Sequence, residues 1–209
     1  MTAAARIGTF AGAALIGLFG WNLAARVFLD HTVNSPSATA EGEYNRIERE
    51  ALAKYGGPGT SNADAMSRYA KEQAAQKVAA AATADERAFT AAQVFLGFYL
   101  MNSRARVEFC RAQQVDISPF ATDFAKLHQP QYERTAGLFR AKGVSIEDAW
   151  STTRGTMMRA AETDMRAIAG TGGTLAAACQ QFASHPGGFV AELDFARHQP
   201  DVQRALMGP

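Results

Sequence analysis

The chain of 209 residues carries 21 lysines and arginines against 20 aspartates and glutamates, which leaves a net charge of +1. Because both signs are interspersed, the long-range positive field that nucleic-acid binding requires is missing, and nucleic acid is not an expected partner. Alanine is abundant and only seven prolines occur, a composition that matches helix propensity better than strand propensity. The sequence therefore predicts an all-α protein, long enough to bury a core of its own.

The first predicted element is an apolar segment over residues 7–25, which contains no charged side chain. A helix of about 19 residues rises about 28 Å, close to the hydrocarbon thickness of a bilayer. We expect residues 1–29 to form a single-pass signal-anchor in a bacterial-type inner membrane, with the remaining chain on the periplasmic side. The alternative is a cleaved signal peptide, which would release the domain into the periplasm.

Small residues recur along this segment at helical spacing. Gly8 and Gly12 form a GxxxG pattern, and Ala13 with Gly17 continues it. Such a face lets helix backbones approach closely in lipid, so it predicts docking to a protein partner or a homodimer through the transmembrane helix. Glycine is also generally common in membrane helices, and that simpler explanation stays open.

The next segments predict a linker followed by the helical domain. Residues 30–41 are polar and include a proline, which is typical of a linker, and residues 42–209 are assigned to the domain. A first helix is expected from Glu43 to Tyr55. An alanine-rich helix over residues 65–82 has few large apolar side chains, so we expect it at the periphery of the domain.

A capping box at Thr83 and Glu86 predicts the start of a central helix, so the domain is expected to be built around residues 84–112. The alternative is that this helix continues the preceding one without a break. Its apolar side chains recur every three or four residues, which predicts a core-facing stripe. The stripe consists of Phe89, Ala92, Leu96, Tyr99, Ser103, Val107 and Cys110.

The second half of this helix turns polar and is expected to emerge from the core. Arg104, Arg106, Glu108 and Arg111 would there line a groove for a peptide or an anionic ligand. A solvated helix face explains the same four residues equally well, and both interpretations are kept.

Further helix boundaries follow from caps and breakers. Ser118 with Pro119 predicts one start and Ser145 another, because serine caps free backbone N–H groups and proline suits a first turn. Gly143 and Gly170 predict helix ends, since glycine accepts the left-handed conformation that commonly follows a last turn.

The two cysteines, Cys110 and Cys179, predict an intramolecular disulfide if the domain is exported. Closing a loop of this length would stabilise the fold by roughly 4 kcal/mol in the chain-entropy model. A redox or metal-binding pair is disfavoured, because CxxC spacing is missing and neither cysteine has a histidine at ligand spacing. We therefore expect no metal and no cofactor.

A His-Gln-Pro triplet occurs twice, beginning at His128 and at His198. The two triplets follow the cysteines at similar intervals, which suggests either a duplicated unit or chance similarity in alanine-rich sequence. Each histidine precedes a proline, so we expect it to end a helix and to bond the last free carbonyls.

No nucleophile elbow, zinc-protease, phosphate-loop, dinucleotide or haem-attachment motif occurs in the sequence. We therefore expect a membrane-tethered, extracytoplasmic, non-catalytic interaction module or an accessory subunit of a membrane complex. The alternatives are an exported helical hydrolase that uses carboxylates, and a periplasmic ligand-binding protein.

Overall fold

The computed structural model describes residues 36–208, and this part of the chain is helical with no strand. The predicted all-α class is confirmed for these residues. A five-residue π-helical segment, the π-turn, interrupts the third helix. In chain order the elements are α1 (Pro36–Tyr55), α2 (Asn62–Ala80), α3 (Ala84–Leu100), the π-turn (Met101–Ala105), α4 (Arg106–Ala112), α5 (Ser118–Leu127), α6 (Gln129–Ala141), α7 (Ile146–Ala169), α8 (Leu175–Ser184), α9 (Pro186–Glu192), α10 (Phe195–His198) and α11 (Pro200–Met207).

The predicted membrane segment, with Gly8, Gly12 and Gly17, lies outside the described residues. Within residues 36–208, none of the helices combines the length and the apolar character needed to cross a bilayer. Helix α1 begins at Pro36, so residues 36–41, which were expected to be linker, are helical.

Helices α1 and α2 pack side by side as a hairpin. Tyr55 and Lys54 of α1 both donate to the Glu72 carboxylate of α2, and Tyr69 of α2 donates to Glu50 of α1. These bonds cross between the helices in both directions and so set the register of the pair.

The prediction that the alanine-rich helix is peripheral was wrong. Helix α2 contacts α1, α3, α7 and α11, and its small side chains let these neighbours approach its backbone closely. It therefore buries a full face despite having few large residues. That face consists of Ala63, Ala65, Met66, Ser67, Ala70, Ala74 and Val78.

The central segment from α3 to α4 begins at the predicted capping box. Glu86 N–H donates to Thr83 Oγ1 at 3.1 Å, and Thr83 N–H donates to the Glu86 carboxylate at 3.2 Å. Helices α2, α6 and α11 pack against α3, while α7 packs against the π-turn and α4. The aromatic core therefore gathers around this segment, with Phe98 in ring contact with Phe124 of α5 and Phe195 of α10.

The π-turn changes which side chains of this segment face inward. Its wider turn lets residues spaced by four stay on one face, and Phe98, Asn102, Arg106 and Cys110 are all buried. The predicted stripe was partly right, since Ala92, Leu96 and Cys110 are buried, and partly wrong, since Phe89, Tyr99, Ser103 and Val107 are only half-buried. An ordinary helical period was assumed through the π-turn, where Asn102 and Arg106 are buried instead of Ser103 and Val107.

The later helices begin and end largely as predicted. Ser145 Oγ accepts the N–H groups of Glu147 and Asp148 at the start of α7. Gly143 follows α6 with φ +70°, and Gly170 ends α7 with φ +67°. Gly143 has the left-handed φ that was expected of it, whereas Gly170 combines its positive φ with an extended ψ of −173°.

Candidate functional site

The two cysteines lie at disulfide-bonding distance. The sulfur atoms of Cys110 in α4 and Cys179 in α8 are 2.08 Å apart, and the two Cα atoms are 5.5 Å apart. Both side chains are fully buried. The predicted pairing of these two residues is confirmed at the level of distance.

Arg106 is not on a polar surface, and this part of the groove prediction was wrong. Its side chain is 1% exposed and forms an ion pair with Asp164 of α7, whose side chain is 0% exposed. The guanidinium carbon lies 4.5 Å from the ring centroid of Phe182 in α8. The π-turn explains the error, because it keeps Arg106 in line with the buried Asn102 and Cys110.

Burial favours the uncharged form of both Arg106 and Asp164. Burial raises the pKa of Asp164 to about 6, and the neighbouring Arg106 charge and hydrogen bond only partly oppose that rise. Burial likewise lowers the pKa of Arg106, against the attraction of Asp164. Within residues 36–208, Asp164 Oδ1 and Arg106 Nε have no hydrogen-bond partner, so the pair is only partly compensated for its loss of water.

Arg104 and Glu108 instead reach across to α7 at the surface. Arg104 donates to both carboxylate oxygens of Glu147, at 2.8 and 2.5 Å, and Arg154 Nε donates to Glu108 at 3.0 Å. Hydrogen bonds from the arginines lower the pKa of both glutamates. The two pairs have opposite polarity along the helices, so they fix α7 against the central segment in one register.

Arg111, the last of the four predicted groove residues, lines an open cleft of about 380 Å³. The other residues around this cleft are Val107, Gln114, Val115, Asp116 and Ser118. The four predicted residues therefore occupy three places: the interior, the edge shared with α7, and this cleft. The structure does not bring them together into one groove.

Arg104 links two aromatic contacts, because it interacts electrostatically with both Tyr99 and Tyr132, and we call the resulting surface the aromatic face. It consists of Tyr99, Tyr132, Arg104 and Trp150. Tyr99 of α3 and Tyr132 of α6 are stacked with their ring centroids 4.6 Å apart. The Arg104 guanidinium carbon lies 5.8 Å from the Trp150 ring centroid. All four side chains are half-buried, so they are held by the fold and still reach solvent.

An open cleft of about 410 Å³ lies at one end of the aromatic face. Tyr99 and Tyr132 form part of its wall, together with Thr122, Ala125, Lys126 and Gln129. Leu127, the last residue of α5, is one of two large apolar side chains exposed within the described part of the chain. Apolar and aromatic surface is therefore concentrated where α5 and α6 meet.

His128 is a structural residue at the junction of α5 and α6. Its Nδ1 contacts the Phe124 carbonyl at 2.9 Å, as expected for a histidine that ends a helix, and its Nε2 accepts the N–H of Phe195 at 3.1 Å. Because Nε2 accepts, Nδ1 carries the proton and the ring is neutral. Burial lowers the pKa of His128, which favours that neutral form.

The second triplet lies at the corresponding junction between α10 and α11. His198 contacts the carbonyl of Glu192 in α9, while Pro200 begins α11. Helices α6 and α11, which follow the two triplets, both pack against α3. The bond between His128 and Phe195 joins the α5–α6 junction to the first residue of α10.

Among residues 36–208, no three histidine, cysteine or carboxylate side chains are grouped as metal ligands would be. Comparison with known proteins adds no relative: no family model, no curated protein and no solved structure matches the chain.

Sequence reasoning did not identify Asp164 of the interior pair or Phe182 beside it, and it did not identify the aromatic face. Trp150 has a usable signal, since Glu147, Trp150 and Arg154 follow the spacing of one helix face. Asp164 and Phe182 have no such signal, because only the packing of α7 and α8 brings them to Arg106.

Proposed function

We propose that this protein is a membrane-tethered, extracytoplasmic interaction module or accessory subunit, whose work is binding rather than catalysis. The observation that carries the proposal is the aromatic face. Tyrosine, tryptophan and arginine are the residues most enriched in the energetic centres of protein interfaces. Tyr99, Tyr132, Arg104 and Trp150 bring all three types together on one side of the domain.

The side chains of the aromatic face are already ordered in the unbound protein. Tyr132 is stacked on Tyr99, and Arg104 is fixed between Glu147 and the ring of Trp150. A partner that packs on ordered side chains loses less conformational entropy than one that must order them. The arrangement therefore favours binding over a purely structural explanation of these rings.

Two further features support an extracytoplasmic location for the domain. The buried Cys110–Cys179 pair at bonding distance suits a domain that folds where thiols are oxidised. The uncharged stretch over residues 7–25 is expected to carry the domain there, with Gly8, Gly12 and Gly17 as a packing face for a partner helix or a second copy.

The second candidate function is that of a periplasmic ligand-binding protein. The cleft beside Tyr99 and Tyr132 favours it, because about 410 Å³ lies within the range of small-ligand sites. The exported-hydrolase alternative is less well supported. Asp164 is the carboxylate with a strongly raised pKa, yet it is enclosed with Arg106 and lines neither of the two clefts described above.

The proposal is tested by site-specific photo-cross-linking in native membranes. A photoreactive side chain at Tyr132 or Trp150 should cross-link to one partner in defined stoichiometry, and Tyr132→Ala or Trp150→Ala should abolish its co-purification in mild detergent. Tyr55 on the α1–α2 hairpin is the matched control, since it is another half-buried tyrosine away from the aromatic face. Equal cross-linking from Tyr55, or none from the aromatic face, would contradict the proposal.

A further inference from the structure

Helices α4 and α8 meet at two neighbouring points in the interior. Arg106 precedes Cys110 by one turn of α4, and Cys179 precedes Phe182 by nearly one turn of α8. The sulfur atoms form one contact and the guanidinium over the Phe182 ring forms the other. The Cys110–Cys179 pair therefore holds in place the ring that covers the buried Arg106–Asp164 pair.

This cover matters because the ion pair is incompletely hydrogen-bonded and would be hydrated if it became accessible to water. A buried pair with unpartnered polar atoms gains if water reaches it, and Asp164 Oδ1 and Arg106 Nε are such atoms. Phe182 lies against the guanidinium of this pair, and its ring packs against Phe120 of α5 and Phe189 of α9.

Helix α8 has little stability of its own. It spans ten residues, and an isolated helix of that length is marginal in water. It follows a glycine-containing loop after Gly170, so its position depends on its contacts with α5, α7 and α9 and on Cys179. Removing the sulfur link would release the element that carries Phe182.

We propose that the Cys110–Cys179 pair is an oxidation-dependent lock on α8, and that only its closed form seals the Arg106–Asp164 pair from water. Closure joins two thiol sulfurs and releases two protons and two electrons. A disulfide-bearing oxidant of the compartment accepts the electrons by thiol–disulfide exchange and becomes two thiols. The lock goes beyond the proposed binding function, because it makes final packing of this region depend on the redox state.

A disulfide that acts only as a cross-link would have a different effect when it is lost. In the chain-entropy model a disulfide acts on the unfolded state, so its loss lowers the stability of the whole domain and leaves the native packing of α8 intact. The lock instead predicts local loosening within the folded protein. The two explanations differ in which part of the folded protein opens when the disulfide is reduced.

Hydrogen exchange of the full-length protein, compared between its oxidised form and its phosphine-reduced form, makes this test. Amides of α8 should exchange about tenfold faster or more after reduction, with smaller increases around Arg106 and Asp164, while α1 and α2 stay unchanged. Cys110→Ala/Cys179→Ala gives the same comparison without a reductant. Unchanged exchange in α8, or a uniform increase that includes α1 and α2, would overturn the lock.

A second measurement follows the ion pair itself. The side-chain carboxyl of Asp164 is titrated by NMR in both redox forms, with Glu50 of α1, which accepts a hydrogen bond from Tyr69, as the control. Hydration of the opened pair should bring the pKa of Asp164 down towards its ordinary value on reduction, and the Glu50 titration should not change. An Asp164 titration that is identical in both forms would contradict the proposal that the sulfur link controls hydration of the ion pair.

Discussion

Arg106 and Asp164 are 58 residues apart in the sequence and meet in the interior, where the guanidinium donates to the carboxylate. Both side chains are almost completely shielded from water. The attraction between them must therefore offset the lost hydration of two charges, and each has one polar atom without a partner. The stability of the domain should depend on both residues being present or both being replaced.

The first prediction concerns this mutual dependence. Asp164→Leu or Arg106→Met should each lower the free energy of unfolding by about 3–5 kcal/mol, because either change leaves the remaining group buried without its ion-pair and hydrogen-bond partner. The double variant Arg106→Met/Asp164→Leu should recover most of that loss. Urea unfolding, carried out on the oxidised wild type, the two single variants and the double variant, measures these free energies. Additive losses in the double variant would contradict the account.

The second prediction concerns the pH dependence contributed by Asp164. Its folded-state pKa of about 6 lies above its ordinary value of 3.8, so the folded state binds more protons than the unfolded state between these limits. The free energy of unfolding, taken relative to Asp164→Asn, should therefore rise as pH falls from about 6 to about 4, by at most about 1.4 kcal/mol per unit. A difference that falls over this window would contradict burial as the dominant effect.

The third prediction concerns His128, whose effect has the opposite sign. Because its pKa is lowered from 6.5, the unfolded state takes up the proton first as pH falls, and the contribution of the neutral ring is lost on acidification. At pH 7.5 or so, His128→Asn should cost about 1–3 kcal/mol by removing the acceptor for the Phe195 N–H. That cost should shrink towards pH 5. Thermal unfolding of both proteins over this range measures it, and a constant cost would refute the neutral assignment.

The fourth prediction concerns the π-turn. Deleting Ser103 would restore an ordinary helix and rotate everything beyond it by about 100°, which turns Arg106 and Cys110 away from Asp164 and Cys179. Near-ultraviolet circular dichroism and the melting curve should show loss of cooperative packing. Ser103→Ala is the control, since it removes only the hydroxyl bond to the Tyr99 carbonyl and should cost at most about 1.5 kcal/mol. A deletion variant that melts like this control would contradict the role of the turn.

Local signals in the sequence were sufficient for the helical class and for many helix ends. Thr83 with Glu86, Ser145, Gly143 and Gly170 each act within one turn of the chain, so their pattern can be read without the fold. The cysteine pair was predictable for a different reason. With only two cysteines and an export-type segment in the sequence, just one pairing within the chain was available.

The interior pair could not be predicted in the same way. Arg106 looked like part of a polar face because an ordinary helical period was carried through residues that form the π-turn. Asp164 meets it only through the packing of α7. The alanine-rich α2 was misplaced because burial was judged by side-chain size, whereas small side chains there allow close approach of whole helices.

The central claim is that Cys110 and Cys179 are joined in the protein as it exists in its compartment. Lysing cells directly into denaturant with an alkylating reagent, so that buried thiols also react, and then measuring the mass of the full chain before and after reduction with renewed alkylation, tests it most directly. We expect a single chain that carries no alkyl group before reduction and two after it. A chain that already carries two alkyl groups in the unreduced sample would contradict it.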